Sequence, residues 1–400
     1  MNRVLAAVFT LPFLACSNTP PDPGYDGGGN GGTSTGKGGT TAAGGSSGGS
    51  SGGTTPGGGT GGTTPGGGSG GMTPGAGTGG TNPNGGSGGG AGGGLEGVLG
   101  HPDPTKTYPV YDGFTLKLVE EFDVALDLDT DPIWTWSDGG MPEGAVRFKK
   151  ENITFEGGVM KLTAKEEYTP ASFSYAENSD HYGNVLDRDL SSGEFRTIYN
   201  NFRYGRYEAR FKAPQPNPDP TLNGNLIATM FTFRTPKFQD WREIDIEVLG
   251  GDPLGSTTNV IFANNAEAWC ECNQEFVTFP NNQLPPGFNS REFNEYAFEW
   301  TPTQIRWYIN GVQIRAKDPS NIGIPDLPSK IMMNLWIFPS AAFGGDPNNN
   351  VYPFASEYDW FRFYKWNEET QYPCEPTPTC LSPDDLDQAK NNPNDPLPAE

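Results

Sequence analysis

The sequence contains few of the residue types on which several common enzyme classes depend. Of its 400 residues only two are histidines, His101 and His181, and both lie in turn-like surroundings. This scarcity disfavours a Ser-His-Asp triad and a histidine-rich zinc site. Basic residues are also scarce: the chain has 26 lysines and arginines but 48 acidic residues, which gives a formal net charge of -22. Since no basic cluster interrupts this excess, nucleic acids and anionic membrane surfaces are poor candidates for partners.

The apolar stretch near the start of the chain is too short to span a bilayer. It covers residues 4–15 and follows Arg3, so residues 1–16 have the pattern of an export signal. Residues 11–16, LPFLAC, resemble a bacterial lipobox, in which Cys16 is lipidated after cleavage, although Phe13 stands where the pattern favours leucine. Ordinary cleavage near Ala15 is the alternative. We therefore expect an extracellular or cell-surface protein, an outer-membrane lipoprotein of a bacterium, attached to the membrane only through its lipid anchor.

Residues 17–100 have almost no apolar side chains and therefore do not bury a core. They consist mainly of Gly, Ser, Thr and Pro, and a nine-residue repeat is visible, for example TTPGGGTGG at 54–62 and TTPGGGSGG at 63–71. Glycine does not recur strictly at every third position, which excludes collagen. We predict a disordered, flexible linker whose end-to-end distance is about 50 Å for roughly 80 residues.

Residues 105–367 are predicted to form one folded domain. Short alternating apolar runs separated by turn residues fill this range, and no convincing long amphipathic helix interrupts them. Asn310-Gly311 lies between two such runs and is a strong β-hairpin signal. The pattern predicts an all-β sandwich, followed by a Pro-, Asn- and Asp-rich tail at 368–400. The predicted strands are 116–120, 153–155, 159–164, 194–198, 206–212, 226–233, 241–249, 258–263, 295–300, 304–309, 312–314, 330–336 and 357–363.

The stretch WREIDIEVLG at residues 241–250 has an unusual charge pattern. Its alternation predicts a β-strand with isoleucine and valine on one face and Trp241, Glu243, Asp245 and Glu247 on the other. Like charges so placed lie only about 7 Å apart and repel, which costs stability and suggests chemistry. Retaining glycoside hydrolysis uses two carboxylates about 5–5.5 Å apart, a separation that curvature and side-chain reach could give Glu243 and Glu247. The alternative is the solvated face of an ordinary amphipathic strand.

The acidic strand and its surroundings resemble family-16 glycoside hydrolases, and most closely the bacterial lichenases, which are endo-β-1,3-1,4-glucanases. Segments similar to this family follow in the same order over residues 115–365. Besides EIDIE followed by LG, they are WSDGGM at 136–141, EFR at 194–196, YGRYE at 204–208, MFTF at 230–233, KIMMNLW at 330–336 and EYDW at 357–360. The resemblance implies a jelly-roll β-sandwich of two curved antiparallel sheets. Residues 269–288 look like an insertion relative to that pattern.

The resemblance also implies roles for single residues. Glu243 would be the nucleophile, Glu247 the acid/base, and Asp245 the residue that orients and tunes them. Residues expected to bind the glucan are Trp241, Glu194, Arg196, Asn334 and Trp336. A structural ion pair is the alternative for Glu194 and Arg196, and a core position is the alternative for Trp336. Asp359 and the backbone carbonyl near Gly158 match a structural calcium site, while the chemistry itself needs no redox or nucleotide cofactor.

The cysteines leave several pairings open. Besides Cys16 there are Cys270, Cys272, Cys374 and Cys380, an even number that is compatible with disulfides in an exported protein. Cys374 and Cys380 are close enough to pair locally. Cys270 and Cys272 are too close for an easy mutual bridge, so partners elsewhere or a rare tight ring are both possible.

We expect a monomer that acts on a β-glucan, the substrate class that the resemblance implies. A transglycosylase of the same family is the first alternative, since a sugar hydroxyl can replace water in its second step. A non-catalytic glucan-binding surface protein is the second alternative, although such modules usually lack the carboxylates.

Overall fold

The computed structural model describes residues 95–137, 146–167, 190–234, 240–250, 256–262, 273–279, 283–320, 322–338, 341 and 344–386. The predicted signal peptide, Cys16, nearly all of the linker, His181, Cys270 and Cys272 lie outside these residues. No helix in the described part of the chain is long and apolar enough to cross a membrane.

Within the described residues the fold is almost entirely β. The strands are β1 Leu99–His101, β2 Phe114–Glu120, β3 Trp134–Trp136, β4 Arg147–Phe148, β5 Ile153–Glu156, β6 Val159–Glu166, β7 Leu190–Ser192, β8 Glu194–Thr197, β9 Gly205–Lys212, β10 Ile227–Arg234, β11 Arg242–Leu249, β12 Ser256–Phe262, β13 Asn273–Phe279, β14 Asn294–Thr301, β15 Gln304–Ile309, β16 Val312–Lys317, β17 Lys330–Trp336 and β18 Phe354–Trp366. Short 3-10 turns occur at Lys150–Asn152 and Pro347–Asn349, and residues 383–386 form one helical turn.

The strands form two sheets. The first follows the order β16-β15-β14-β9-β18-β6-β7-β4, with β2 on β18, β1 on β2 and β5 on β6. Both β6 and β2 can join the same edge of β18, because the first half of this long strand pairs with β6 and its second half pairs with β2. Apart from the parallel pairs β1–β2 and β4–β7, its pairings are antiparallel. The second sheet follows the order β13-β12-β11-β10-β17-β8-β3 and is antiparallel throughout. The predicted all-β jelly-roll sandwich is confirmed.

The hydrophobic core lies between the sheets and sets the orientation of β11. Ile244, Ile246 and Val248 are fully buried in the same cluster as Tyr207 and Phe211 of the first sheet. Burying each such side chain contributes about 1.5–3 kcal/mol. A shift of β11 by one residue relative to its neighbouring strands would move its carboxylates into this core, so the pairing register of β11 is strongly specified.

The folded part extends beyond the predicted limits at both ends. Leu99 and Gly100 lie in the range predicted as linker, yet with His101 they form β1, which pairs in parallel with Leu118–Glu120 of β2. Much of the predicted tail packs on the domain, because Asp385 is buried in an ion pair with Arg234 at 3.0 Å. A disulfide joins Cys374 and Cys380, the local pairing that the sequence allowed.

The expected insertion is in part a regular strand. Within residues 269–288, β13 pairs along its full length with β12 and forms the edge of the second sheet. Most of its side chains are half-buried or exposed, so its hydrophobic pattern is weak and the strand was missed.

Candidate active site

Three carboxylates line one face of β11, as predicted. In the antiparallel register Glu243, Asp245 and Glu247 stand opposite Phe233, Phe231 and Thr229 of β10 on one side. On the other side they stand opposite Ile261, Asn259 and Thr257 of β12. Because directly paired residues point to the same face of a sheet, these nine side chains form a continuous surface on the side away from the core.

The other sheet anchors the backbone of β11 at its centre. The indole Nε1 of Trp307, on β15, donates a hydrogen bond across the core to the carbonyl oxygen of Asp245 at 3.1 Å. With β10 and β12 hydrogen-bonded on either side, the acidic row is built on a central strand. Such a scaffold holds functional side chains more rigidly than a loop would.

Each end of the acidic row has its own hydrogen-bond donor. The Nε1 of Trp241 donates to Oε2 of Glu243 at 2.7 Å. The hydroxyl of Thr257 donates to Oε2 of Glu247 at 2.9 Å. Glu243 and Glu247 are half-buried, whereas Asp245 between them is buried.

The surroundings raise the pKa of all three carboxyls. Burial raises the pKa of Glu243 most, and the charges of Glu247 and Glu194 add to it against the opposing hydrogen bonds from Trp241 and Asp245. Burial and then the charges of Glu243 and Glu247 raise the pKa of Asp245. Burial likewise raises the pKa of Glu247 to about 7, against the hydrogen bond from Thr257. The row therefore holds fewer than three negative charges at neutral pH.

A hydrogen-bonded polar chain continues from this row over the neighbouring strands. The hydroxyl of Thr229 donates to Oδ1 of Asn334 at 2.6 Å, and Nδ2 of Asn334 donates to Oε2 of Glu194 at 2.8 Å. The structure thus brings the predicted residues Glu194 and Asn334 to the same face as Glu247. Both polar ends of Asn334 are used by the protein, so it orients Glu194.

An apolar cluster lies on the same face, apart from the main core. It consists of Phe231, Phe233, Trp241, Ile261 and Met332. Two of its members, Phe233 and Ile261, flank Glu243 on the adjacent strands. This cluster accounts for much of the burial that raises the pKa of Glu243.

Two further predicted residues, Arg196 and Trp336, are buried, as Glu194, Asn334 and Trp241 also are. Arg196 is fully buried and its Nε donates to the carbonyl oxygen of Trp136 at 3.5 Å. Trp336 is 8% exposed and packs edge-on against Phe338 with ring centroids 6.0 Å apart. The register places both on the same face as the acidic row, but little of either side chain is open to a ligand.

The expected calcium ligands lie close together but do not fit a cation as arranged here. Tyr358 pairs with Met160, which brings Asp359 alongside the turn that contains Gly158. The carboxylate of Asp359 is, however, paired with the guanidinium of Arg210. The described residues also contain no group of three His, Cys, Asp or Glu side chains that could hold a metal ion. Calcium binding stays a prediction, and no step below depends on it.

Sequence reasoning missed the contribution of β10 and β12 to the site. Thr257 and Asn259 occur in an alternating stretch, STTNVIF, and Thr229 occurs in a predicted strand. Their alternation indicated strands but not which residues would stand beside the carboxylates, because that depends on register between strands.

Comparison with known proteins agrees with this geometry. Residues 143–358, just over half of the chain, match the family model described as glycosyl hydrolases family 16. A β-glucanase of Bacillus subtilis (strain 168) is 34% identical over 219 residues, covering 54% of this chain and 76% of the relative. A β-glucanase of Paenibacillus polymyxa is 35% identical over 173 residues, covering 43% of this chain.

The chain spans less than two thirds of the length of several curated relatives, including 63% of the Paenibacillus polymyxa protein. Among solved structures, Bacillus licheniformis β-glucanase aligns with 25% identity and a TM-score of 0.45, covering 61% of this chain and 96% of that one. On the match of the family model and the Bacillus subtilis relative, the chain belongs to family 16 of the glycosyl hydrolases.

Proposed function

We propose that this protein is an endo-β-glucanase that hydrolyses β-1,3-1,4-glucan, or β-1,3-glucan, with retention of configuration. The observation that carries the proposal is the row of Glu243, Asp245 and Glu247 on the face of a central strand that points away from the core, with all three pKa values raised. Three adjacent acidic groups cost stability, and a protein that only bound glucan would have no use for them. The family and its β-glucanase relatives support the substrate class.

The proposed reaction has two displacements. In the first, the carboxylate of Glu243 bonds to the anomeric carbon, the glycosidic C–O bond breaks, and the carboxyl proton of Glu247 passes to the leaving oxygen. In the second, Glu247 takes a proton from water while the water oxygen bonds to the anomeric carbon and releases Glu243. Each turnover thus consumes one water molecule and needs no cofactor, because the two carboxyls supply nucleophile and proton.

Asp245 has a tuning role in this scheme. It is buried between the two carboxyls, and its hydrogen bond to Glu243 lowers the pKa of that carboxyl against the effect of burial. A protonated Asp245 that donates to Glu243 would favour the ionised nucleophile, and burial favours the protonated form of Glu247, as the first displacement requires.

The polar chain from Thr229 through Asn334 to Glu194 is proposed to bind sugar hydroxyls beside Glu247. Trp241 would act from the other end of the row, where its indole both packs in the apolar cluster and bonds Glu243. All five residues predicted to bind glucan are buried, Arg196 and Trp336 among them, so each would reach a sugar only if covering side chains move.

The decisive test is product analysis with mixed-linkage β-glucan, laminarin and xyloglucan. Short oligosaccharides from mixed-linkage glucan alone would support a β-1,3-1,4-glucanase, and products from laminarin would move the assignment to a β-1,3-glucanase. Products longer than the substrate would identify the alternative, a transglycosylase. A wild-type protein that cleaves none of these glucans but binds one would support the non-catalytic module instead.

Substitution of the two glutamates separates their roles. Glu243→Ala and Glu247→Ala should each lower turnover of polysaccharide by at least about a thousandfold while the protein stays folded. With an aryl glucoside of good leaving group and azide, Glu243→Ala should give the α-glycosyl azide. Glu247→Ala should give the β-glycosyl azide, because the covalent intermediate still forms. Glu156→Ala, an exposed change in the other sheet, is the matched control and should be fully active.

Export and anchoring are proposed on the N-terminal sequence. The lipobox-like residues before Cys16 support a lipoprotein whose linker holds the enzyme away from the cell surface. Labelling with a palmitate analogue should be lost in Cys16→Ser, and label that survives the substitution would contradict lipidation at this residue.

A further inference from the structure

Thr257 is placed to control the carboxyl group of Glu247. It stands directly opposite Glu247 in the β11–β12 pairing, and its side chain is fully buried. Its hydroxyl donates to Oε2 of Glu247 at 2.9 Å. Among the residues that the structure describes, it is the only side chain that hydrogen-bonds this carboxyl.

The position of Thr257 is held from both sides. Its neighbour Ser256 donates from its hydroxyl to the carbonyl oxygen of Glu247 at 3.4 Å. On the opposite face, the hydroxyl of Thr258 accepts a hydrogen bond from the guanidinium of Arg315 at 2.5 Å. A β-branched side chain on such a strand has few accessible rotamers, so the hydroxyl of Thr257 is held toward Glu247.

The bond to Oε2 distinguishes the two oxygens of the carboxyl group. With Oε2 accepting from Thr257, the transferable proton of Glu247 belongs on Oε1, which the hydroxyl leaves free for a leaving group. The threonine hydroxyl can donate to Oε2 whether the carboxyl is ionised or protonated on Oε1, so this contact persists in both protonation states.

We propose that Thr257 is a positioning residue that orients Glu247 and directs its proton to Oε1. This inference rests on the proposed function, in which Glu247 is the acid/base. It explains why β12 has a hydroxyl at this point, while an apolar residue, Ile261, stands opposite Glu243.

Other charges near Glu247 influence its pKa equally in the wild type and in the Thr257 variants. The neighbouring strands β10 and β12 have no charged side chain among the described residues of this face between Thr229 and Phe233 or between Thr257 and Ile261. Within the part of the chain that the structure describes, the charged residues on this face are Glu243 and Asp245 on β11, Glu194 and Arg196 on β8, and Lys330 on β17.

The test compares Thr257→Val with Thr257→Ser. Valine keeps the shape and removes the hydroxyl, so kcat should fall about tenfold with little change in KM, because general acid catalysis loses its orientation. The alkaline limb of the kcat/KM profile should move up by about one pH unit, since a hydrogen bond to the charged form no longer lowers the pKa of Glu247. Serine should restore both. Thr163→Val on β6, a half-buried position in the other sheet, is the matched control and should behave as wild type.

A titration without substrate gives an independent measurement. In protein labelled with 13C at glutamate side-chain carboxyls, the resonance missing from Glu247→Gln identifies Glu247, and its titration should move upward in Thr257→Val only. Thr257→Ala replaces valine if that variant does not fold. An active wild type with the same pH limb and titration in both threonine variants would overturn the inference. An inactive wild type would instead overturn the proposed function, while the titration still tests the contact.

Discussion

Replacing Glu247 by glutamine should stabilise the protein progressively as the pH rises. In the folded protein, burial raises the pKa of Glu247 from 4.5 to about 7. The folded state therefore binds this proton more tightly than the unfolded chain does. Its contribution to stability is fully present below about pH 4.5 and is lost as the pH rises through about 7. Glutamine has no such proton, so only the wild type loses this stability.

The size of the stability difference between Glu247→Gln and the wild type follows from the pKa shift of Glu247. One pKa unit corresponds to about 1.4 kcal/mol, so this shift allows at most about 3 kcal/mol between pH 4.5 and pH 8. Partial exposure and the coupled charges of Glu243 and Asp245 reduce it, and we expect about 1–3 kcal/mol. For a domain of this size that is roughly 2–8 °C in melting temperature. Calorimetry of both proteins at several pH values should show the gap widening by this amount in favour of Glu247→Gln.

A second glutamate gives a control of opposite sign. Burial alone would raise the pKa of Glu275 on β13, but hydrogen bonds from Lys317 and Arg315 on β16 outweigh burial and lower this pKa. Its stabilising contribution is present above its unfolded pKa and lost as the pH falls. Glu275→Gln should therefore be less stable than wild type near pH 7, and the gap should close toward pH 4. If the Glu247→Gln gap did not change with pH, or narrowed as the pH rose, the assigned electrostatics would be refuted.

Three further measurements examine other parts of the molecule. Asp385→Asn should cost about 3–5 kcal/mol in chemical denaturation, because it leaves a buried arginine of β10 unpaired, and an unchanged midpoint would show that the C-terminal segment is dispensable. A chelator tests the predicted calcium site. Because Arg210 already pairs with Asp359, we expect the melting temperature to stay unchanged, whereas a fall that added calcium reverses would support calcium binding. Trp241→Phe should move the acid limb of kcat/KM to higher pH, because the indole hydrogen bond lowers the pKa of Glu243, and an unmoved limb would contradict that contact.

Strands could be predicted where the local pattern alone determines them. The β15–β16 hairpin is an example, because Asn310 and Gly311 both have positive φ, of 49° and 75°, as a type I′ turn requires. The strand β11 was also evident, since three fully buried aliphatic residues alternate with acidic ones. In both cases the information lies within ten consecutive residues.

The strands of two or three residues, β1, β3, β4 and β7, were not predicted, because they have too few residues to show a period. The strand Leu99–His101 is stabilised by its contacts with β2, namely the parallel pairing and the hydrogen bond between Nδ1 of His101 and Oε2 of Glu120 at 2.9 Å. The C-terminal segment was misjudged for a related reason. Its composition is polar, and it packs through the buried charges of Glu369 and Asp385, which composition does not distinguish from solvated ones.

In the candidate site, too, some features follow from the local sequence pattern and others from contacts between strands. Glu243, Asp245 and Glu247 belong to one strand, so their common face follows from alternation alone. For β12 the sequence offers two adjacent threonines, and a one-residue slip would exchange them. Burial of Val260 in the core decides between them: it turns Thr258 toward the core and Thr257 toward Glu247. The hydroxyl that is proposed to orient the acid is therefore chosen by packing between the two sheets, which no single strand of the sequence contains.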